Sequence, residues 1–111
     1  MVYTTFGDAP SAERASLALV SERLAASTNS FEVRSVYRWK GVVRREPEVG
    51  VLIKTSSALV PKLIARLRAL HPYENPCAVE IPVGRGRREY LDWITECTTH
   101  APAPRRRRPL P

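Results

Sequence analysis

The sequence predicts an α+β fold, a ferredoxin-like β-α-β-β-α-β unit with one extra helix toward the C-terminal end. Three observations carry this reading. Residues 31–40 alternate with a period of two, the signature of a long strand. Apolar stripes at helical spacing lie on either side of that strand, and turn-forming residues mark the junctions.

The elements follow in order. Residues 1–6 are β-prone and run into Gly7-Asp8, which reads as a short first strand and a turn. Asp8 and Ser11 are candidate N-caps, with Pro10 in the first turn. Ala12, Ala15, Leu19, Val20 and Leu24 then mark one face of a helix expected to end near Ala26, with Thr28 and Asn29 breaking it. Phe31, Val33, Ser35, Tyr37 and Trp39 form the aromatic-rich face of the second strand. Gly41 suits a hairpin turn, and Glu46-Pro47-Glu48 is expected to interrupt the returning arm until Val49. A second helix after Ser56-Ser57 carries Leu59, Leu63, Leu67 and Leu70. Pro61 belongs in its first turn, and His71-Pro72 stops it. Residues 77–83 read as another strand, with Pro76 before it and Pro82 near its end marking an edge position or a short strand, and Tyr90, Leu91, Ile94 and Cys97 place a last short helix. Residues 1–98 thus form one domain, and the Pro/Arg-rich residues 99–111 are expected to be a disordered tail.

The net charge is +7, but Arg105, Arg106, Arg107 and Arg108 supply four of those charges from the tail. The domain itself is only mildly basic, so overall charge is no argument for nucleic-acid binding. Such contact is expected only through the tail, which suits nucleic acid or anionic lipid and suits equally an inert extension. No apolar run is long enough to span a membrane. The first residues lack the layout of a secretory signal, so a cytoplasmic location and two thiols, Cys77 and Cys97, are expected. No CxxC pair is present for a structural zinc site.

The strand of residues 31–40 is the most informative segment. At about 3.3 Å per residue it spans roughly 33 Å, about the whole diameter of a domain of roughly 100 residues. Its distal end carries Tyr37 and Trp39, which are costly to leave in water. An arm that overreaches its own globule is expected to pair or pack with other copies of the chain.

Several motifs then point the same way. Tyr37-Arg38-Trp39-Lys40-Gly41, Leu52-Ile53-Lys54-Thr55, His71-Pro72-Tyr73-Glu74-Asn75-Pro76 and Tyr90-Leu91-Asp92-Trp93-Ile94 resemble the CutA divalent-cation tolerance family in order and spacing. The resemblance covers about residues 2–96. It implies a homotrimer joined by strand pairing, a role in copper or other divalent-metal tolerance, and an architecture similar to the PII signalling proteins, whose ligands sit between subunits. Where some bacterial members carry a cysteine proposed to ligate copper, this chain has Thr4, and Ser27 stands where a second cysteine is common. Arg44-Arg45 stands where many members are acidic. Soft thiolate ligation is therefore lost at those positions.

His71 is the candidate ligand for Cu(II) or another divalent cation, and equally a helix C-cap. Tyr37, Trp39, Lys54, Tyr73, Glu74 and Trp93 are the candidate cleft residues, with aromatic walls and opposite charges suited to a small polar ligand. The same set also suits a salt bridge on an aromatic intersubunit core. Arg85, Arg87 and Arg88 could hold an anion at the start of the last helix or form a solvated loop. No G-x-S-x-G, P-loop or acid–base spacing appears, and Gly84-x-Gly86 lacks the rest of a dinucleotide motif. The expectation is a binding protein rather than an enzyme, either a metal-tolerance trimer or a PII-like signalling or scaffold trimer with a non-metal ligand.

Overall fold

A computed structural model describes residues 1–99; of the expected tail, all but Thr99 lies outside the described residues. The elements are β1 (Val2–Phe6), α1 (Ala9–Ser21), β2 (Ser27–Trp39), β3 (Val42–Lys54), α2 (Val60–Leu70), β4 (Val79–Glu80) and α3 (Arg88–Cys97). They build one antiparallel sheet in the order β2-β3-β1-β4, the ferredoxin-like arrangement with one added helix. Val2, Thr4 and Phe6 point from β1 into a core shared with α1 and α2. Tyr3 and Thr5 take the opposite, open face of the sheet by strand alternation.

Asp8 caps α1 by accepting the Ser11 N–H at 2.8 Å. That bond holds the Asp8 carboxyl below its usual range. The helix ends at Ser21 rather than near Ala26. Arg23 turns left-handed at φ 61°, and the Leu24 and Ala25 N–H groups both return to the Leu19 carbonyl. Leu24 and Ala25 still reach the core from this wrapped turn, so their spacing mimics another helical turn.

β2 starts four residues earlier than expected, and Thr28 and Asn29 lie inside it instead of breaking the chain. The register with β3 runs without a gap from Ser27↔Lys54 to Trp39↔Val42. The expected interruption at Glu46-Pro47-Glu48 is therefore absent. Met1 and Ile81 exchange both backbone bonds across the β1–β4 seam, so alternation turns Val2 toward β3 and its partner Ile53 toward β1. The same alternation turns Pro47 toward the β1 side, beyond the last β1 partner at Val49. A missing N–H there breaks no ladder bond. Lys40 and Gly41, at φ 50° and 81°, form the two-residue turn, so Lys40 belongs to the turn and not the strand.

Pro61 sits in the first turn of α2 after a short 3₁₀ turn, and the helix stops at His71. The expected strand over residues 77–83 shrinks to Val79–Glu80. Pro76 and Pro82 on either side limit the pairing it can make. α3 is amphipathic but buries no residue fully.

The hairpin of β2 and β3 does project. The chain measures 51 × 27 × 23 Å with a radius of gyration of 15.1 Å, against about 13 Å for a compact domain of about 100 residues. Val36, Val42 and Val43 near its end are 69%, 56% and 57% exposed. Among the described residues, no helix is long and apolar enough to cross a membrane.

Thr4 breaks the apolar pattern of the core. Its side chain is 0% exposed and its Oγ1 has no hydrogen-bond partner. Thr4→Val keeps the shape and removes an unmade bond, so it is expected to stabilise the fold by about 1–2 kcal/mol. Urea unfolding at neutral pH checks this; an unchanged or lower midpoint would mean that the hydroxyl is satisfied.

Candidate functional site

The segment after α2 returns across the sheet and is pinned by its side chains. His71 is 7% exposed and stacks on Phe6, with ring centroids 4.2 Å apart. Its Nδ1 accepts the Tyr73 N–H at 3.1 Å, so the ring proton sits on Nε2 and is donated to the Thr5 carbonyl at 2.7 Å. Burial pushes the His71 pKa down and holds the ring neutral. His71 is thus the C-cap residue of α2, as one of its two readings has it, but as a neutral ring. As placed, it has no lone pair left for a metal. Among the described residues, no group of three or more His, Cys, Asp or Glu side chains is gathered to hold a metal ion.

Tyr73 continues the pin. Its hydroxyl donates to Glu48 Oε2 at 2.8 Å. Glu48 is only 8% exposed and lies on the open face of the sheet. Burial and this bond to a carboxylate push the Tyr73 pKa well up, so the phenol keeps its proton. Burial also raises the Cys77 thiol, with Glu48 adding to it. Gly50 clears the same face: a Cβ there would meet the Phe31 ring at 3.0 Å and the Tyr3 hydroxyl at 3.1 Å. Phe31 and Tyr3 consequently lean over β3 with ring centroids 6.5 Å apart.

Between this segment and the hairpin runs a groove of about 990 Å³. Tyr37, Trp39, Tyr73 and Glu74 all line it, with Arg34 and Arg44. Lys40 at the hairpin turn lies 3.9 Å from Glu74, so the segment runs beneath the arm out to its end. Arg44 stands 3.7 Å from Glu46.

The other two expected cleft residues lie elsewhere. Lys54 donates to Asn29 Oδ1 and sits 5.7 Å above the Tyr90 ring. Trp93 packs against Tyr90 at 5.5 Å. Ten residues of β3 separate Lys54 from Arg44, the cross-strand partner of Tyr37, or roughly 33 Å of strand at about 3.3 Å per residue. Within one chain, therefore, Glu74 meets Lys40 and not Lys54. Arg85, Arg87 and Arg88 are exposed, with Arg87 3.6 Å from Glu89, which fits the solvated-loop reading.

Sequence reasoning missed Glu48, Glu46 and the groove-lining role of Arg44. The signal was present. Arg44, Glu46, Glu48 and Gly50 continue one alternating face, once Pro47 is allowed inside the strand.

The sequence matches the family model described as CutA1 divalent ion tolerance protein over residues 1–97. The chain belongs to this family. It is 49% identical over 82 residues to the divalent-cation tolerance protein CutA of Thermus thermophilus, covering 73% of this chain and 80% of that one. The structure of the periplasmic divalent cation tolerance protein CutA from Archaeoglobus fulgidus superposes with a TM-score of 0.86 at 34% identity, covering 88% of this chain and 96% of that one. The PII-like protein CutA from Nostoc sp. PCC 7120, in its apo form, gives a TM-score of 0.83 at 36% identity, covering 88% and 95%. The family is defined by tolerance to divalent ions rather than by a reaction.

The neutral, buried His71 makes stability depend on pH in a defined direction. Its folded pKa lies below the unfolded value of about 6.5. The unfolded chain therefore takes up the proton first on acidification. The stability it contributes is present above about pH 6.5 and is lost as pH falls toward the folded pKa. His71→Gln is expected to remove this component, so that the variant loses less stability than the parent between pH 7.5 and 5.5. Urea unfolding of both proteins at the two pH values measures the difference; equal losses would show that the ring is not held neutral.

Proposed function

We propose that this chain is a non-enzymatic homotrimer that holds a small polar ligand in clefts between subunits, in the manner of a PII-like binding protein, and serves divalent-metal tolerance through that site. One observation carries the reading. The six cleft residues divide into two groups at opposite ends of the hairpin, one on the projecting arm and one beside α3. Every residue of both groups is at least partly exposed. A neighbouring copy that receives the arm against its Lys54, Tyr90 and Trp93 would bring the two groups together and bury the exposed valines of the hairpin as well.

The geometry favours a small ligand over a bare Cu(II) ion or other divalent cation at His71. Both nitrogens of that ring are engaged, and the family's thiolate positions are Thr4 and Ser27. A metal would have to break the bond that fixes the returning segment. Both cysteines are thiols, which suits the reducing cytoplasm that the proposal gives the protein.

A cross-link between chains tests the composite cleft. In a background with Cys77→Ser and Cys97→Ser, one chain carries Trp39→Cys and a second carries Trp93→Cys. After co-expression and mild oxidation, a disulfide-linked pair of the two chains is expected on non-reducing gels. Its absence, in a mixture shown by circular dichroism to be folded, would overturn the composite cleft.

A further inference from the structure

We infer that the mouth of the groove is a site for an organic ammonium ion, at a place that the side chain of Lys40 fills in the chain by itself. This rests on the reading of the groove as a ligand site and adds the chemistry of its occupant.

The β2–β3 register decides which charges meet there. Tyr37 and Trp39 share one face of the ribbon with Arg44, Glu46 and Glu48. Arg34 and Arg38 alternate onto the other face. Arg44 is the one arginine of the ribbon on the groove face, and it is taken up by Glu46 at 3.7 Å. Glu74 enters from the opposite wall and meets Lys40 at 3.9 Å, with both side chains 72% exposed. Three carboxylates thus stand against one guanidinium and one ammonium. The proton-bearing groups of the groove feel that excess. Tyr3, Tyr37, Tyr73 and Cys77 all line it. Burial pushes each of their pKa values up, and Glu48 adds to the rise in every case, with Arg44 opposing it at Tyr37.

Lys40 shows what the mouth accepts. Its Nζ lies 5.6 Å from the centre of the Trp39 ring while it meets Glu74. An ammonium between an aromatic face and a carboxylate is the arrangement that holds organic cations. Lys40 is a weak occupant, because an exposed ion pair on a long side chain is worth little and costs rotamer freedom. A free alkylammonium displaces it and gains more, since its methyl groups also reach the rings of Tyr37 and Tyr73, each 36% exposed. A divalent metal ion is served less well. It needs several oxygen ligands at once, and among the described residues no three His, Cys, Asp or Glu side chains are gathered.

Three compounds with one head shape test this on the full-length protein. They are choline, the neutral alcohol in which a tert-butyl group replaces its trimethylammonium head, and tert-butylacetate. Binding is read by NMR from shifts of the Trp39 indole N–H and of ring signals from Tyr37 and Tyr73. Choline is expected to bind about tenfold tighter than the alcohol, and tert-butylacetate more weakly than either. The choline preference should shrink as salt rises. Lys40→Gln vacates the place, so choline should bind about threefold tighter while the alcohol is unchanged. Glu74→Gln should weaken choline about threefold and again leave the alcohol unchanged. An alcohol or acetate that binds as tightly as choline, or choline binding indifferent to both substitutions, would overturn the cation preference and leave the groove as a ligand site. Failure of all three compounds to move these signals at tenth-molar concentration would overturn the groove reading itself.

Discussion

The backbone pairing of β2 with β3 is the constraint on which the rest of the structure depends. Thirteen residues of each arm are joined in one register, but β1 supports β3 only from Val49 to Ile53. The compact core of Val2, Phe6, Leu19, Ile53, Leu63 and Leu67 sits at that supported end. Beyond Val49 the hairpin is a two-stranded ribbon faced on one side only, by the segment after α2, and such ribbons are marginal alone. In the proposed trimer a second copy of the chain would cover its exposed valines and aromatic residues.

The same ribbon creates the groove. Its open face alternates Tyr37 and Trp39 with the cross-strand Arg44 and Glu46, and the segment after α2 forms the opposite wall. That segment has no secondary structure of its own as far as β4. It holds its place through a short relay from Thr5 through His71 and Tyr73 to Glu48. Each bond in the relay is partly buried, where a hydrogen bond is costlier to lose than at the open surface. A histidine committed to this relay serves shape, and its chemistry toward metals is spent on holding the wall.

Much of this was legible in the sequence because its signals are local. Alternation over residues 31–40 needs only neighbouring residues to be read, and the hairpin, its turn and its overreach follow from it. The misjudged boundaries all involve tertiary partners. Leu24 and Ala25 reach the core from a turn because Arg23 reverses the backbone, which hydrophobic spacing does not register. Thr28 and Asn29 become strand because β3 offers them partners. Pro47 is tolerated because β1 has already ended on the side it faces. For the site, sequence named the aromatic and charged residues but not their distribution. Lys54 and Trp93 belong to the base of the hairpin and Tyr37 and Trp39 to its arm, a distinction set by register and length. Glu48 was hidden by the assumption that its neighbour Pro47 ends a strand.

If the ribbon must be completed by neighbouring copies, the folded protein has no stable single-chain form. Sedimentation equilibrium of the untagged, full-length chain at micromolar concentration tests this most directly. A single species of three times 12.5 kDa is expected, with dissociation and unfolding occurring together in denaturant. A folded 12.5 kDa species with native circular dichroism would contradict it.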